Sequence, residues 1–309
     1  MSCAENLTKE VPDMAQAQAT PKFKRARNLL LASLAPSLAE RSDLQPSERQ
    51  ALEARRRHIT APAKQVVFLI PLVRRGDIQD WPAVSARLAA TINSLKSQTN
   101  PNWRAVICGQ DQPEAIHFDE QVQFLPFTKP VDGNDKWDKL NALAQNLKAT
   151  QTGPSFVMPF DADDLLAPTI VDEMLTRQAS GYVVQAGYVL DAGTGQVALT
   201  AAQNLLQPGQ KAFWKLCGSC AAFRYETAAD ADWIQSITAH EHRMFPYLAQ
   251  LSGRALMPLS QPAALYVLNH GDNFGVRRGR VSFKSRYVER FALTDTTTFD
   301  VTFPGQRGA

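Results

Sequence analysis

The sequence predicts an α/β protein, a mixed sheet with helices on both faces behind an N-terminal helical extension. Three observations carry that reading. From Gln65 onward, short apolar runs alternate with segments of helical periodicity. The first of these runs, Val66 to Leu72, is β-branched and apolar throughout, as expected of a parallel strand buried on both faces. A later run, Ser155 to Phe160, breaks abruptly into Asp161, Asp163 and Asp164, with Pro168 shortly after.

The elements follow in order. Residues 1–20 are polar and Ala/Gln-rich, contain Pro12 and lead to Pro21, and lack apolar periodicity, so they read as disordered. Helices are expected over 22–35 and 46–58, the second opened by Pro46-Ser47-Glu48. Thr60-Ala61-Pro62-Ala63 marks a boundary. Beyond the first strand, Val84, Leu88, Ile92 and Leu95 recur at helical spacing, and strands follow at Trp103 to Cys108 and Val122 to Leu125. A helix from Asp135 to Lys148 leads into the Ser155 to Phe160 strand. Ile170, Met174 and Leu175 suggest a further helix. Tyr182 to Leu190 and Gln196 to Leu199 read as a hairpin around Asp191-Ala192-Gly193-Thr194-Gly195. Short strands at Ala221 to Arg224 and Ala264 to Leu268 are separated by helices near Glu226 to Ser236 and Glu241 to Leu251. No internal repeat is visible.

The 309 residues can bury one sizeable core or a main domain with an appendage. Residues 1–62 hold ten Lys/Arg against seven Asp/Glu, and the rest is balanced at 23 of each. That balance argues against a nucleic-acid binder with a broad basic face. A local patch at Arg277, Arg278, Arg280, Lys284 and Arg286 suits a phosphate better than a polymer. Four scattered cysteines do not make a disulfide framework, so a reducing, cytoplasmic compartment is the expectation. Cys217-Gly218-Ser219-Cys220 has redox or zinc spacing but no completing ligands, and reads as a packed, small-residue strand entry. No run reaches the 18 or so apolar residues of a membrane span. The stretch from Lys22 reads as an amphipathic helix that either packs on the domain or touches an anionic membrane surface peripherally through residues 22–35.

The acidic corner carries the chemistry. Carboxylates at i and i+2 of a kinked strand exit can converge on one ion. Oxygen ligands suit Mg²⁺ or Mn²⁺, which in turn suit a diphosphate. Without a ligand, the same cluster is a solvated loop whose Asp164 caps the next helix.

Four segments in order resemble the GT-A type nucleotide-sugar glycosyltransferases, in particular the family-two group of bacterial transferases. They are Val66-Val67-Phe68-Leu69-Ile70-Pro71 with Ser94-Leu95-Lys96-Ser97-Gln98-Thr99; Asp135-Lys136-Trp137-Asp138-Lys139-Leu140-Asn141-Ala142-Leu143; Asp161-Ala162-Asp163-Asp164 through Pro168; and Glu241-His242 through Gly253 to Leu265-Tyr266-Val267 and Asn269-His270-Gly271-Asp272-Asn273. Together they span about residues 65–275.

The resemblance implies the Rossmann-like GT-A fold over residues 63–275, with 21–62 a helical extension and 276–309 a basic C-terminal lid. It implies metal-dependent transfer of a sugar from a nucleotide-diphosphate donor to a glycan or other hydroxyl acceptor, inverting by direct displacement, in the cytoplasm. Asp163 would hold the Mn²⁺ or Mg²⁺, with His270 as a second metal contact. Asp161 would face the donor's ribose or sugar, and Lys136 its phosphates or sugar. Arg277 and Arg278 would clamp the diphosphate. Asp111 is the one acidic residue near the base-binding position, and it is displaced from the family pattern. A histidine stands where the family places its base, so either Glu241, the preferred candidate, or His242 would be the general base. Two rival readings remain: a non-catalytic sugar-nucleotide or partner-binding domain, and a phosphatase of the haloacid dehalogenase type with Asp161 as nucleophile.

Overall fold

A computed structural model describes residues 16–40, 42–269 and 281–307. Four strands, β1 (Gln65–Pro71), β2 (Trp103–Gly109), β3 (Val122–Pro126) and β4 (Ser155–Pro159), run parallel. β1 lies between β2 and β4, and Val66 through Ile70 are buried on both faces. That is why this run shows no apolar/polar alternation.

Two further elements complete this side of the fold, the short strand β5 (Leu165–Leu166) and then β6 (Gly181–Val183). Next come β7 (Gly187–Asp191), β8 (Gln196–Thr200), β9 (Ala221–Tyr225), β10 (Met257–Pro258) and β11 (Ala264–Leu268). The main sheet has the order β10-β6-β9-β4-β1-β2-β3, with β9 antiparallel to both neighbours. A second sheet has the order β5-β11-β7-β8. The molecule is therefore the expected mixed α/β sheet with flanking helices.

The run expected to be one strand from Tyr182 to Leu190 divides between the two sheets. Val184 donates its N–H to Cys220 O, Gln185 O accepts from Phe213 N, and Ala186 O accepts from Ala263 N. These bonds turn the chain out of one sheet and into the other. Gly187 sits at the crossing, where an added Cβ would collide with the Phe213 ring and stand 2.8 Å from Ala264 O. Gly187→Ala is expected to lower unfolding stability by roughly 1–3 kcal/mol, read from urea melts.

Helices α1 (Lys22–Leu34), α2 (Pro36–Glu40) and α3 (Pro46–Arg55) precede the sheet. The expected second helix ends three residues early, at Arg55. α4 (Trp81–Lys96) is capped by Asp80, whose Oδ1 accepts from Ala83 N, and turns Val84, Leu88, Ile92 and Leu95 inward. α5 (Lys136–Thr150) and α6 (Ile170–Arg177) link the middle strands. α7 (Ala228–Thr238) and α8 (Phe245–Leu251) follow β9, and α9 (Val281–Arg290) and α10 (Thr297–Thr302) follow β11. Ala32, Ala39, Ala51, Leu52 and Ala54 join the same buried core as the sheet, so the N-terminal helices pack onto it. The Thr60–Ala63 stretch is bound as well: Thr60 N and Ala61 N donate to Glu226, and Ala63 N donates to Gln178 Oε1.

Candidate functional site

β4 ends at Pro159, and the chain then turns through Asp161, Ala162, Asp163 and Asp164. The turn is braced from two directions. Thr91 Oγ1 on α4 donates to Ala162 O at 3.0 Å, and Ser219 Oγ accepts from Asp161 N at 2.8 Å. Ser219 Oγ in turn donates to Asp164 Oδ2 at 2.5 Å, and Cys217 Sγ donates to the same oxygen at 3.0 Å.

These contacts separate the roles of the three carboxyls. Asp164 is fully buried, and it does not cap the following helix, which starts at Ile170 after β5 intervenes. Burial, then the charges of Asp163 and Asp161, push its carboxyl well above the usual carboxylate range. Asp164 lies buried under the turn, whereas Asp161 and Asp163 are both only partly buried. The Cys217–Cys220 loop is the floor of this turn, and both thiols are free and buried. Burial raises both thiols well above their ordinary range, which suits packing and not thiolate chemistry. A Cβ at Gly218 would stand 3.1 Å from Asp161 Oδ2, so the glycine leaves room for that carboxylate.

Lys136, at the start of α5, places Nζ 2.5 Å from Asp161 Oδ1. Burial alone would lower this ammonium, but Asp161 and Asp163 outweigh it and raise its pKa. One helical turn on, Lys139 donates to Leu72 O at the end of β1 and pairs with Asp135 at 2.8 Å. Residues three apart share a helix face, so α5 joins the acidic turn to a second polar cluster at the ends of β1 and β2. That cluster holds Gln110, which donates to Asp135 at 2.6 Å, and Asp111, which accepts from Arg75 N at 3.0 Å.

Two side chains reach the turn from the C-terminal half. Lys284 on α9 donates to Tyr266 Oη at 2.6 Å, and its ammonium lies 4.3 Å from the Tyr266 ring centroid. Burial lowers the Lys284 pKa, while Cys217, Asp164 and Asp161 oppose that shift. Burial and the charges of Cys217, Asp164, Asp163 and Asp161 raise the Tyr266 phenol. The sequence reading placed Lys284 only in a general basic patch.

His242 begins a short 3₁₀ turn at 242–244 ahead of α8. Its Nε2 is buried with no hydrogen-bond partner among the described residues. Burial first, then Arg243, Lys136 and Lys284, push the imidazole down to about 4, with Asp161 opposing. The ring is therefore neutral at pH 7 and lies in the field of the same groups that surround the acidic turn. Glu241 instead lines a cleft with Gln16, Ala17, Gln18 and Ala19.

The structure thus gathers Asp161, Asp163, Lys136 and His242, places Asp111 in the adjoining cluster, and turns Glu241 toward the N-terminal segment. His270, Arg277 and Arg278 lie outside the described residues. Among the described residues, no three His, Cys, Asp or Glu side chains converge as a metal cage. A Mg²⁺ or Mn²⁺ carried on a diphosphate needs only one or two protein carboxylates, however. Asp163, beside the buried Asp164 and a Lys136-paired Asp161, fits that demand.

No protein-family model matches this sequence, and no curated protein matches it. Among solved structures, the chain is similar to "Crystal structure of S. aureus TarS 1-349", with 10% identity and a TM-score of 0.35, over 77% of this chain and 74% of that one.

Proposed function

We propose that this chain is a glycosyltransferase that moves a sugar from a nucleotide-diphosphate donor to an acceptor hydroxyl of a glycan, polysaccharide or lipopolysaccharide type. The observation that carries the reading is the meeting of Asp161, Asp163 and Lys136 at the exit of β4, beside the unpartnered Nε2 of His242. In this reading residues 63–275 are the transferase domain, 21–62 its helical extension and 276–309 its closing segment.

Asp163 would be the carboxylate that receives the donor's divalent ion, Mn²⁺ or Mg²⁺. That ion supplies neutralisation of the diphosphate leaving group. Asp161, held by Lys136, orients the donor's ribose or sugar. Lys136 and Lys284, both in the field of Asp161, would supply positive charge where negative charge grows as the sugar departs. Asp111 and its neighbours at the ends of β1 and β2 take the nucleoside end. His270, Arg277 and Arg278 are assigned to the same diphosphate by sequence position alone.

His242 is our candidate for the group that accepts the acceptor hydroxyl's proton. Its Nε2 has no hydrogen-bond partner among the described residues, and a neutral imidazole has a lone pair to offer. The negative donor diphosphate would raise its pKa from about 4 toward a value useful for catalysis. Displacement with one such base gives inversion.

Lys284→Met is expected to weaken donor affinity roughly 10–100-fold without lowering the melting temperature, measured by titration and thermal shift. The reading itself is tested by assaying transfer and hydrolysis of a panel of nucleotide-diphosphate sugars with Mn²⁺. Turnover of at least one donor supports it. Donor binding with no turnover would mean a non-catalytic sugar-nucleotide domain, and a phosphorylated Asp161 would mean a phosphatase.

A further inference from the structure

α1 packs on the core through one face and leaves a second apolar edge outside. Its inward face is held by a polar network centred on the buried Glu48. Glu48 Oε1 accepts from Thr20 Oγ1 at 2.8 Å, Asn28 Nδ2 at 3.2 Å and Tyr247 Oη at 2.6 Å, and Oε2 accepts from Gln45 N at 2.8 Å. Asn28 also donates to Tyr247 Oη at 3.1 Å, and Arg25 Nε donates to Thr20 O at 2.8 Å. The buried residues of α1 are Asn28 and Ala32, Leu29 and Leu31 pack partly buried against the core, and Phe23, Leu30 and Leu34 face solvent.

Phe23 is 81% exposed, Leu30 59% and Leu34 75%, and Leu38 on α2 continues the series at 54%. Positions 23, 30 and 34 fall within roughly 40° of arc at 3.6 residues per turn, opposite Ala32. On the same wheel Lys22 and Lys24 flank this stripe on either side, and Arg27 lies at its edge. From Lys22 to Leu34 the helix holds four cations and no carboxylate. The surface acids Asp43, paired with Lys24 at 3.1 Å, and Glu40, paired with Arg56, make exposed pairs of a kind that contributes little and yields to competing anions.

We propose that this stripe is a docking surface for the anionic face of a lipid bilayer. The hydrogen bonds of Asn28 and Arg25 fix the helix's rotation, so the Phe23-Leu30-Leu34 edge faces outward. Apolar side chains flanked by lysines match the acyl boundary and the headgroup charge of such a membrane together. No helix among the described residues is long and apolar enough to cross a membrane, and contact of this kind needs none. The attachment is shallow and reversible, and it weakens with salt. It stands independently of the sugar-transfer reading.

The test uses the full chain in sedimentation with phosphatidylcholine vesicles, with and without about one-third phosphatidylserine. Binding is expected to the anionic vesicles, at least roughly tenfold above neutral ones, and to fall at high salt. Phe23→Ser/Leu30→Ser/Leu34→Ser should abolish it, and Lys22→Gln/Lys24→Gln should lower it by roughly an order of magnitude. All five positions are exposed, so unchanged melting curves show that these variants fold. Equal or absent binding to both vesicles overturns the proposal. So does a self-associated chain in sedimentation equilibrium that the triple serine variant converts to monomer, since the stripe would then pair two copies.

Discussion

Asp163→Asn is expected to cut sugar transfer by roughly 10²–10³-fold while leaving thermal melting at or above that of the parent chain. The activity loss follows from removing the partly buried carboxylate of the turn that is proposed to receive the metal. Stability should hold because Asp163 is only partly buried and its charge works against ionisation of Asp164. The opposite pattern is expected of Asp164→Ala. That change orphans the Ser219 hydroxyl and the Cys217 thiol in the core, and it should destabilise by about 1–3 kcal/mol before it alters chemistry. Circular dichroism melts alongside initial rates distinguish the two residues.

His242→Gln should lower kcat by roughly 10²–10⁴-fold, whereas Glu241→Gln should change it far less. Gln can fill the space and accept a hydrogen bond but cannot take a proton. The free-protein pKa of about 4 also fixes a pH signature. Because kcat/KM reports the free enzyme, its acid limb should fall near pH 4 and not near the 6.5 of an unperturbed imidazole. Stability has the matching sign. The folded-state value is depressed below the unfolded one, so as pH drops the unfolded chain takes up this proton first. The stability tied to a neutral His242 is complete above about 6.5 and is lost as pH falls toward 4. His242→Gln removes that loss, which paired urea melts at pH 7 and pH 4.5 would detect. Equal activity losses at positions 241 and 242 would contradict the assignment.

The sheet was legible where sequence pattern and burial coincide. Val66 to Leu72 and Ser155 to Phe160 lack polar alternation because both faces of the central strands are covered. The break within Tyr182 to Leu190 was not legible, because it depends on backbone partners at Cys220, Phe213 and Ala263 that lie far away in sequence. The two-residue strands β5 and β10 carry no period that a sequence window could detect.

At the site, the cluster Asp161-Ala162-Asp163-Asp164 was visible but its division of labour was not. Asp164 became the buried member, held by Ser219 and Cys217 more than fifty residues downstream. The sequence offered Glu241, preferred with the family's pair reordered, and His242, which fills the family's base slot. The 3₁₀ turn at 242–244 instead leaves Glu241 lining the Gln16–Ala19 cleft and the histidine ring buried near Lys136 and Lys284. Lys284 was invisible as a site residue because its helix returns to the turn only through the tertiary fold.

The most direct measurement is calorimetric titration of UDP, GDP, ADP and CDP into the full chain and into Asp163→Asn, with and without Mn²⁺. At least one diphosphate is predicted to bind, to weaken by roughly tenfold or more without the metal, and to lose that metal dependence in Asp163→Asn. Failure of all four to bind, or binding indifferent to both Mn²⁺ and Asp163, would contradict the acidic turn as the seat of a metal-borne diphosphate.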